Sequence, residues 1–277
     1  MKFYADLHLH TDCSDGVLTP EELVERASMI KGVSAISITD HDTFDGIDRA
    51  ISFPRRSVEI VPGIELSTDV DGKELHILGF YVDYKTSPLV AKISEFKNAR
   101  IERAKKIVSN LNGMNVNINY EDVLKIAGYG AIGRPHIARA IVNAGVVENS
   151  WEAFDRYLGD DSPAYEPKLK ISPVEAVRLI KSSGGIAIWA HPKTLSVADL
   201  INELVNAGLD GLESYHPKHT EEDSSFLLNV VKQYGLISTG GSDFHDDERG
   251  KDIGDCGISC ELFQEFKKRA NKLDVRI

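Results

Sequence analysis

Two histidines stand two residues apart near the start of the chain, His8 and His10, inside Phe3-Tyr4-Ala5-Asp6-Leu7-His8-Leu9-His10-Thr11. In an extended segment these side chains leave the same face, so together they can hold one metal ion through imidazole nitrogens. H-x-H also occurs on ordinary strands, and this pair gains weight from residues further along the chain. His41, Glu65, His76, His191, His216 and the pair Asp243/His245 each fall at or near the edge of an expected strand. Imidazole and carboxylate in one pattern suit Zn²⁺, Mn²⁺ and Fe²⁺. The cysteines contribute less. Cys13, between His10 and Asp15, reads as packing, and Cys256 and Cys260 have no second Cys or His pair near them, so they read as ordinary thiols.

The elements that must position these groups alternate. After the first strand comes the turn Asp12-Cys13-Ser14-Asp15-Gly16, then a helix announced by Thr19-Pro20-Glu21-Glu22: N-cap, proline in the first turn, capping-box glutamate. Leu23, Ala27 and Ile30 give that helix one buried face. Ala35-Ile36-Ser37-Ile38 reads as a buried strand ending at Thr39-Asp40-His41-Asp42. A third strand runs from Val58 to Ile64 and ends at Glu65, and a fourth, Leu75 to Val82, carries His76 at its start, against the strand-end pattern. From about 88 to 170 the spacing becomes helical, with starts at Asn119, Pro135 and Ser150, which makes an insertion of roughly 80 residues. Ser172-Pro173-Val174-Glu175 then repeats the cap-and-proline start, and strands 186–189, 211–214 and 236–239 deliver His191, His216 and Gly240-Gly241-Ser242-Asp243-Phe244-His245. Alternating strands and helices predict a mainly parallel sheet, and functional groups at strand C-terminal ends predict a closed barrel, here with seven strands.

Composition is that of a globular protein of 277 residues, with no run long and apolar enough for a membrane span and no signal-peptide pattern. A cytoplasmic protein without a membrane partner is expected, as a monomer or small homo-oligomer. The formal net charge of −11 argues against a footprint on duplex DNA. It leaves room for a small phosphorylated substrate, because three divalent cations would outweigh the three carboxylates Asp15, Glu65 and Asp243.

The segments DLHLHT at 6–11, TDHD at 39–42, GIE at 63–65, AHP at 190–192 and GSDFH at 241–245 resemble, in order, the motifs of the PHP (polymerase and histidinol phosphatase) family. The resemblance implies an α/β fold: a distorted seven-stranded β/α, TIM-like barrel over 1–87 and 171–277, carrying the metal site, with a helical substrate-binding subdomain inserted at 88–170. It also implies two to three divalent ions (Mn²⁺, Fe²⁺ or Zn²⁺). His8, His10, Glu65 and Asp243 would hold the first; Glu65 as a bridge, His76 and His191 the second; Asp15, His41 and His245 the third. Some relatives have histidine at Asp15, so the third position is harder here and favours Mn²⁺ or Fe²⁺.

The insertion, with Gly133-Arg134-Pro135-His136, is similar to that of the subgroup acting on nucleoside 3′,5′-bisphosphates and AMP, which also contains 5′–3′ exonucleases on short RNA. The implied reaction is hydrolysis of a phosphate monoester by a metal-bridging hydroxide, with Asp15, His41, Glu65, Asp243 and His216 at the reacting centre. Arg134, beside the free N–H groups of a helix start, suits a phosphate. His216 would bind the scissile phosphate or protonate the leaving oxygen, with His136 and Lys168 as further substrate contacts. A histidinol phosphatase and a non-catalytic, metal-stabilised domain are the alternatives. Asp6 and Asp40 read as supporting or capping groups.

Overall fold

The computed structural model describes residues 3–54, 57–128, 132–192, 194–246 and 252–271. The strands are β1 (Ala5–Leu9), β2 (Ala35–Ile38), β3 (Glu59–Val70), β4 (Lys73–Phe80), β5 (Ile186–Trp189), β6 (Gly211–Tyr215) and β7 (Ile237–Gly240), joined edge to edge in chain order in a seven-stranded sheet. Helices α1 (Pro20–Met29), α2 (Ile47–Ser52), α7 (Pro173–Ser182), α8 (Thr194–Ala207), α9 (Glu221–Tyr234) and α10 (Cys260–Asn271) belong to the same unit. The sheet curls into a nearly closed barrel. Its open seam is bridged by the segment after β7, where the Asp243 N–H donates to His8 O at 2.9 Å and the His10 N–H to Phe244 O at 3.0 Å. A Cβ on Gly241 would clash with the backbone and Cβ of His8, so only glycine lets this segment pass so close to β1.

Local signals explain the helix starts. Thr19 accepts from the Glu22 N–H while Glu22 reaches back to the Thr19 N–H, and Ser172 accepts from the Glu175 N–H. On α1 the inward face is Leu23, Val24 and Ala27, whereas Ile30 caps the helix and is only half-buried. These side chains join Leu9, Ile36, Ile38 and Phe244 in one apolar layer. A second layer packs Leu7, Phe80, Ile186 and Ile188 on Phe263 and Phe266 of α10.

One expectation needs correction, within a sheet that is mainly parallel as expected. β3 does not stop at Glu65 but continues to Val70, because its second half has its own partner: it pairs antiparallel with β4 from Gly63↔Phe80 to Val70↔Lys73. The sheet is therefore mixed, with β4 antiparallel to both β3 and β5. That reversal removes the oddity of His76. In a strand running backwards, the first residues lie at the rim where the parallel strands end. Helices α2 and α10 were not foreseen.

Residues 92–169 form a second compact unit, between 1–91 and 170–277 in sequence. It takes in most of α3 (Pro88–Gly113), then α4 (Tyr120–Ala127), α5 (Arg134–Asn143), α6 (Ser150–Ala153) and a π-helical turn at Phe154–Leu158. Ile107, Leu111, Val123, Ile137 and Ile141 share its apolar core.

Candidate metal centre

One rim of the barrel collects the histidines. β1 projects His8 and His10, and the turn behind it brings Asp15. His41 follows β2, Glu65 lies within β3 and His76 enters from the reversed β4. His191, His216 and the pair Asp243/His245 follow β5, β6 and β7. His10, Asp15, His41 and His245 form one group with ligand atoms within 4.8 Å of each other; His8, His10 and Asp243 form a second, His8, Glu65 and His191 a third, and His41, Glu65 and His76 a fourth. The four groups share members, so they make one continuous cluster.

Glu65 is its hub. Oε2 lies 3.1 Å from His8 Nε2, 3.2 Å from His10 Nε2 and 3.3 Å from His41 Nδ1, while Oε1 lies 2.8 Å from His76 Nδ1 and 3.1 Å from His191 Nε2. Yet both ring nitrogens of His10, both of His76 and Nδ1 of His41 are buried and make no hydrogen bond. The nitrogens therefore lie close to carboxylate oxygens without pairing with them, and one nitrogen of each ring is within 4.8 Å of the other possible ligand atoms of its group. A buried polar atom without a partner is costly, and three such imidazoles in one cluster, each able to offer one nitrogen, fit a set of donors shaped for cations.

The electrostatics agree. Burial opposes the charged form of His10, but the Asp243 and Glu65 carboxylates outweigh it and push its pKa up to about 10. The same contest, with Glu65 and Glu74, lifts His76 to about 9. For His41 burial wins, and its pKa falls to about 3. Asp15 keeps 37% of its side chain exposed; partial desolvation opposes its charged form, but the hydrogen bond to His245 and the charge of His41 hold it well below the usual carboxylate range.

Three further buried carboxylates hold the clustered side chains in place. Glu213, in β6, sits 3.0 Å from His8 Nδ1 and accepts the His191 N–H at 2.7 Å. It leaves His8 Nε2 facing the cluster and restrains His191, whose φ of 30° is strained for a non-glycine residue. Asp40 accepts from the Thr11 N–H and hydroxyl and from the Ser14 hydroxyl, which fixes the turn between His10 and Asp15. Asp6 accepts from the Ser242 N–H and hydroxyl and the Gly254 N–H, fixing the residue before Asp243; burial raises its pKa to about 6. Asp6 and Asp40 therefore brace the two segments that bring His10, Asp15 and Asp243 into the cluster. Glu213 was missed, and its one signal was a lone acid in the apolar run Gly211-Leu212-Glu213.

His216 is buried at the edge of the cluster, its Nε2 3.3 Å from Asp243 Oδ2. Its Nδ1 accepts the Lys218 N–H at 3.1 Å, so the ring proton is on Nε2. Cys13 is buried and faces Asp12 and Arg49.

The other expected substrate residues lie in the inserted unit. Arg134, the first residue of α5, does not hold its guanidinium over the free N–H groups of the helix. Nη1 donates to Leu158 O at 3.0 Å and to Asp160 at 2.6 Å, and the side chain stands over the rings of Phe154 and Tyr165. His136 caps the same helix by accepting the Gly133 N–H at 3.0 Å. Lys168 is exposed.

The PHP domain model matches residues 6–159. Over 246 residues the chain is 35% identical to a 5′-3′ exoribonuclease of Haemophilus influenzae, covering 87% of this chain and 89% of that one. It is 31% identical over 258 residues to a 3′,5′-nucleoside bisphosphate phosphatase of Chromobacterium violaceum, covering 90% of each. A Bifidobacterium adolescentis structure described as that of a metal-dependent phosphoesterase superposes with a TM-score of 0.81 at 30% identity, covering 94% of both chains. The chain belongs to the PHP domain family. Among the described residues no helix is long and apolar enough to cross a membrane.

Proposed function

We propose that this protein is a metal-dependent phosphoesterase that removes phosphate from small nucleotides, with a nucleoside 3′,5′-bisphosphate as first choice and AMP as second. The observation that carries the reading is the cluster of buried, hydrogen-bond-free imidazole nitrogens around Glu65. His8, His10, Glu65 and Asp243 would hold one ion, Glu65, His76 and His191 another, and Asp15, His41 and His245 a third. Bound there, such ions supply an activated water and positive charge for the phosphoryl oxygens. Burial lowers the pKa of His216, which keeps the ring neutral near pH 7. A neutral Nε2–H is a hydrogen-bond donor but a poor acid, so His216 suits holding a phosphoryl oxygen better than protonating the leaving group.

Arg134 would grip a phosphate after parting from Asp160, and Arg134→Ala should lower kcat/KM for the bisphosphate by roughly 30- to 1,000-fold with metal content unchanged. p-Nitrophenyl phosphate should be spared if that phosphate is not the one cleaved. The central experiment compares a 3′,5′-bisphosphate, AMP and a 5′-phosphorylated oligoribonucleotide, products resolved on one column. Prolonged chelation should abolish phosphate release and Mn²⁺ should restore it. Undiminished turnover by metal-free protein would sink the reading. The exoribonuclease relative supports a second reading, trimming of short RNA from the 5′ end; mononucleotides appearing faster than phosphate leaves the bisphosphate would establish it.

A further inference from the structure

The two oxygens of Asp243 face different company. Oδ1 looks into the cluster, 3.6 Å from His8 Nε2, 3.5 Å from His10 Nε2 and 3.6 Å from His245 Nδ1. Oδ2 looks outward and is shared by His216 Nε2 at 3.3 Å and Lys218 Nζ at 3.2 Å. Two donors from one loop thus converge on a single anionic oxygen at the margin of the cluster. Asp243 is 11% exposed and Lys218 72%, so the lysine reaches in from solvent to a mostly buried acceptor.

We infer that Lys218 is an anion-binding residue of the barrel itself, the cation that receives the phosphoryl group of the substrate beside His216. The inference rests on the metal-dependent phosphoesterase reading. If Asp243 gives its charge to a cation through Oδ1, the ammonium loses most of its counter-charge while keeping its position. A phosphoryl oxygen is the same kind of acceptor as Oδ2 and can take up both donors. The loop is built to keep the pair together. The Lys218 N–H holds His216 Nδ1, the His219 N–H donates to His216 O at 3.0 Å, and Thr220 caps α9 directly afterwards. One residue therefore sets the proton on Nε2 of its neighbour and places its own ammonium alongside.

The test uses Mn²⁺-loaded protein with inorganic phosphate as the probe. Binding is measured by calorimetry, metal content by elemental analysis, and KM and kcat on p-nitrophenyl phosphate. Lys218→Ala and Lys218→Gln should weaken phosphate binding by roughly tenfold to a hundredfold and raise KM accordingly, with metal content as in wild type, and Lys218→Arg should recover most of the loss. Phosphate affinity within twofold of wild type in Lys218→Ala would overturn the inference. So would loss of metal in that variant, since Lys218 would then act only through Asp243. Loaded wild-type protein that neither binds phosphate nor hydrolyses any ester would overturn the functional reading as well, and is recognisable because it appears before any substitution is made.

Discussion

At the end of the barrel where β5, β6 and β7 begin, the buried Asp210 accepts from Lys181 Nζ at 2.6 Å and from the Ala187 N–H at 3.0 Å, and faces Arg269 Nε at 3.2 Å. At the opposite rim the buried Glu65 is surrounded by five imidazoles. Both carboxylates need compensation for leaving water. Asp210 has it from an ammonium, a backbone N–H and a guanidinium, none of which offers a lone pair to a cation, even though Arg269 Nε makes no hydrogen bond. Glu65 has it from groups that can shed a proton and expose a lone pair. A buried acid among fixed cations ties elements together, whereas one among imidazoles is poised to exchange protons for metal.

The largest effect that would break this contrast is expected at Glu65. Glu65→Gln should lose more metal than His76→Ala, because the carboxylate reaches two of the proposed ion positions and the imidazole one, and kcat/KM should fall by about three orders of magnitude. Elemental analysis of both variants checks it, and equal stoichiometry would remove the bridge assignment.

Proton exchange can be measured directly. His10, at about 10, and His76, at about 9, lie above the ordinary 6.5, so metal-free protein carries these protons at pH 7 and must expel them on loading. Metal affinity should therefore rise with pH until about 9 to 10. The metal-free fold has the matching stabilisation in full below about 6.5 and loses it as pH climbs through the folded values. His41, at about 3, is already neutral and releases nothing. Calorimetry in two buffers of different ionisation enthalpy should give net proton release, and its absence would mean that the imidazoles are not displaced by metal.

The two ends were unequally legible. Residues of the rim announce themselves because their chemistry is confined to few types and each follows an apolar run, so the sequence alone places His8, His41, His191 and His245. His76 fitted poorly only because nothing local in Lys73–Phe80 encodes strand direction; the short Asp71-Gly72 turn that reverses the chain does. Glu213 was hidden because a single acid carries no spacing. The Asp210 cluster was equally hidden, since Lys181, Asp210 and Arg269 meet only when α7, β6 and α10 have packed. Arg134 stood out in the sequence as a candidate phosphate contact, but its pairing with Asp160, from a separate stretch, had no pattern to announce it.

Asp210→Asn is the mirror of Glu65→Gln and sharpens the comparison from the other side. It leaves Lys181 and Arg269 without their counter-charge, and should cost about 2–3 kcal/mol of stability. Metal content and kcat/KM should stay within twofold of wild type. Urea unfolding followed by elemental analysis separates the two quantities. Metal loss in this variant would mean that the two ends are coupled.

The smallest expected effect is at His219, and it tests what makes an unpaired nitrogen a ligand. His219 Nε2 is buried and makes no hydrogen bond, like those of His10 and His76. Its ring lies 5.5 Å from that of His216, and Nδ1 sits 3.3 Å from Ser214 O. It nevertheless belongs to none of the four groups whose possible ligand atoms lie within 4.8 Å of one another. If an unpaired buried nitrogen were enough, His219→Ala would cost metal. If convergence is what counts, metal content and kcat/KM should match wild type and stability should fall by no more than about 1 kcal/mol, the weight of one weak hydrogen bond. Elemental analysis beside thermal unfolding decides. A missing metal equivalent would extend the cluster past His216 into the loop ahead of α9, and Lys218 would then stand between ligands instead of at their margin.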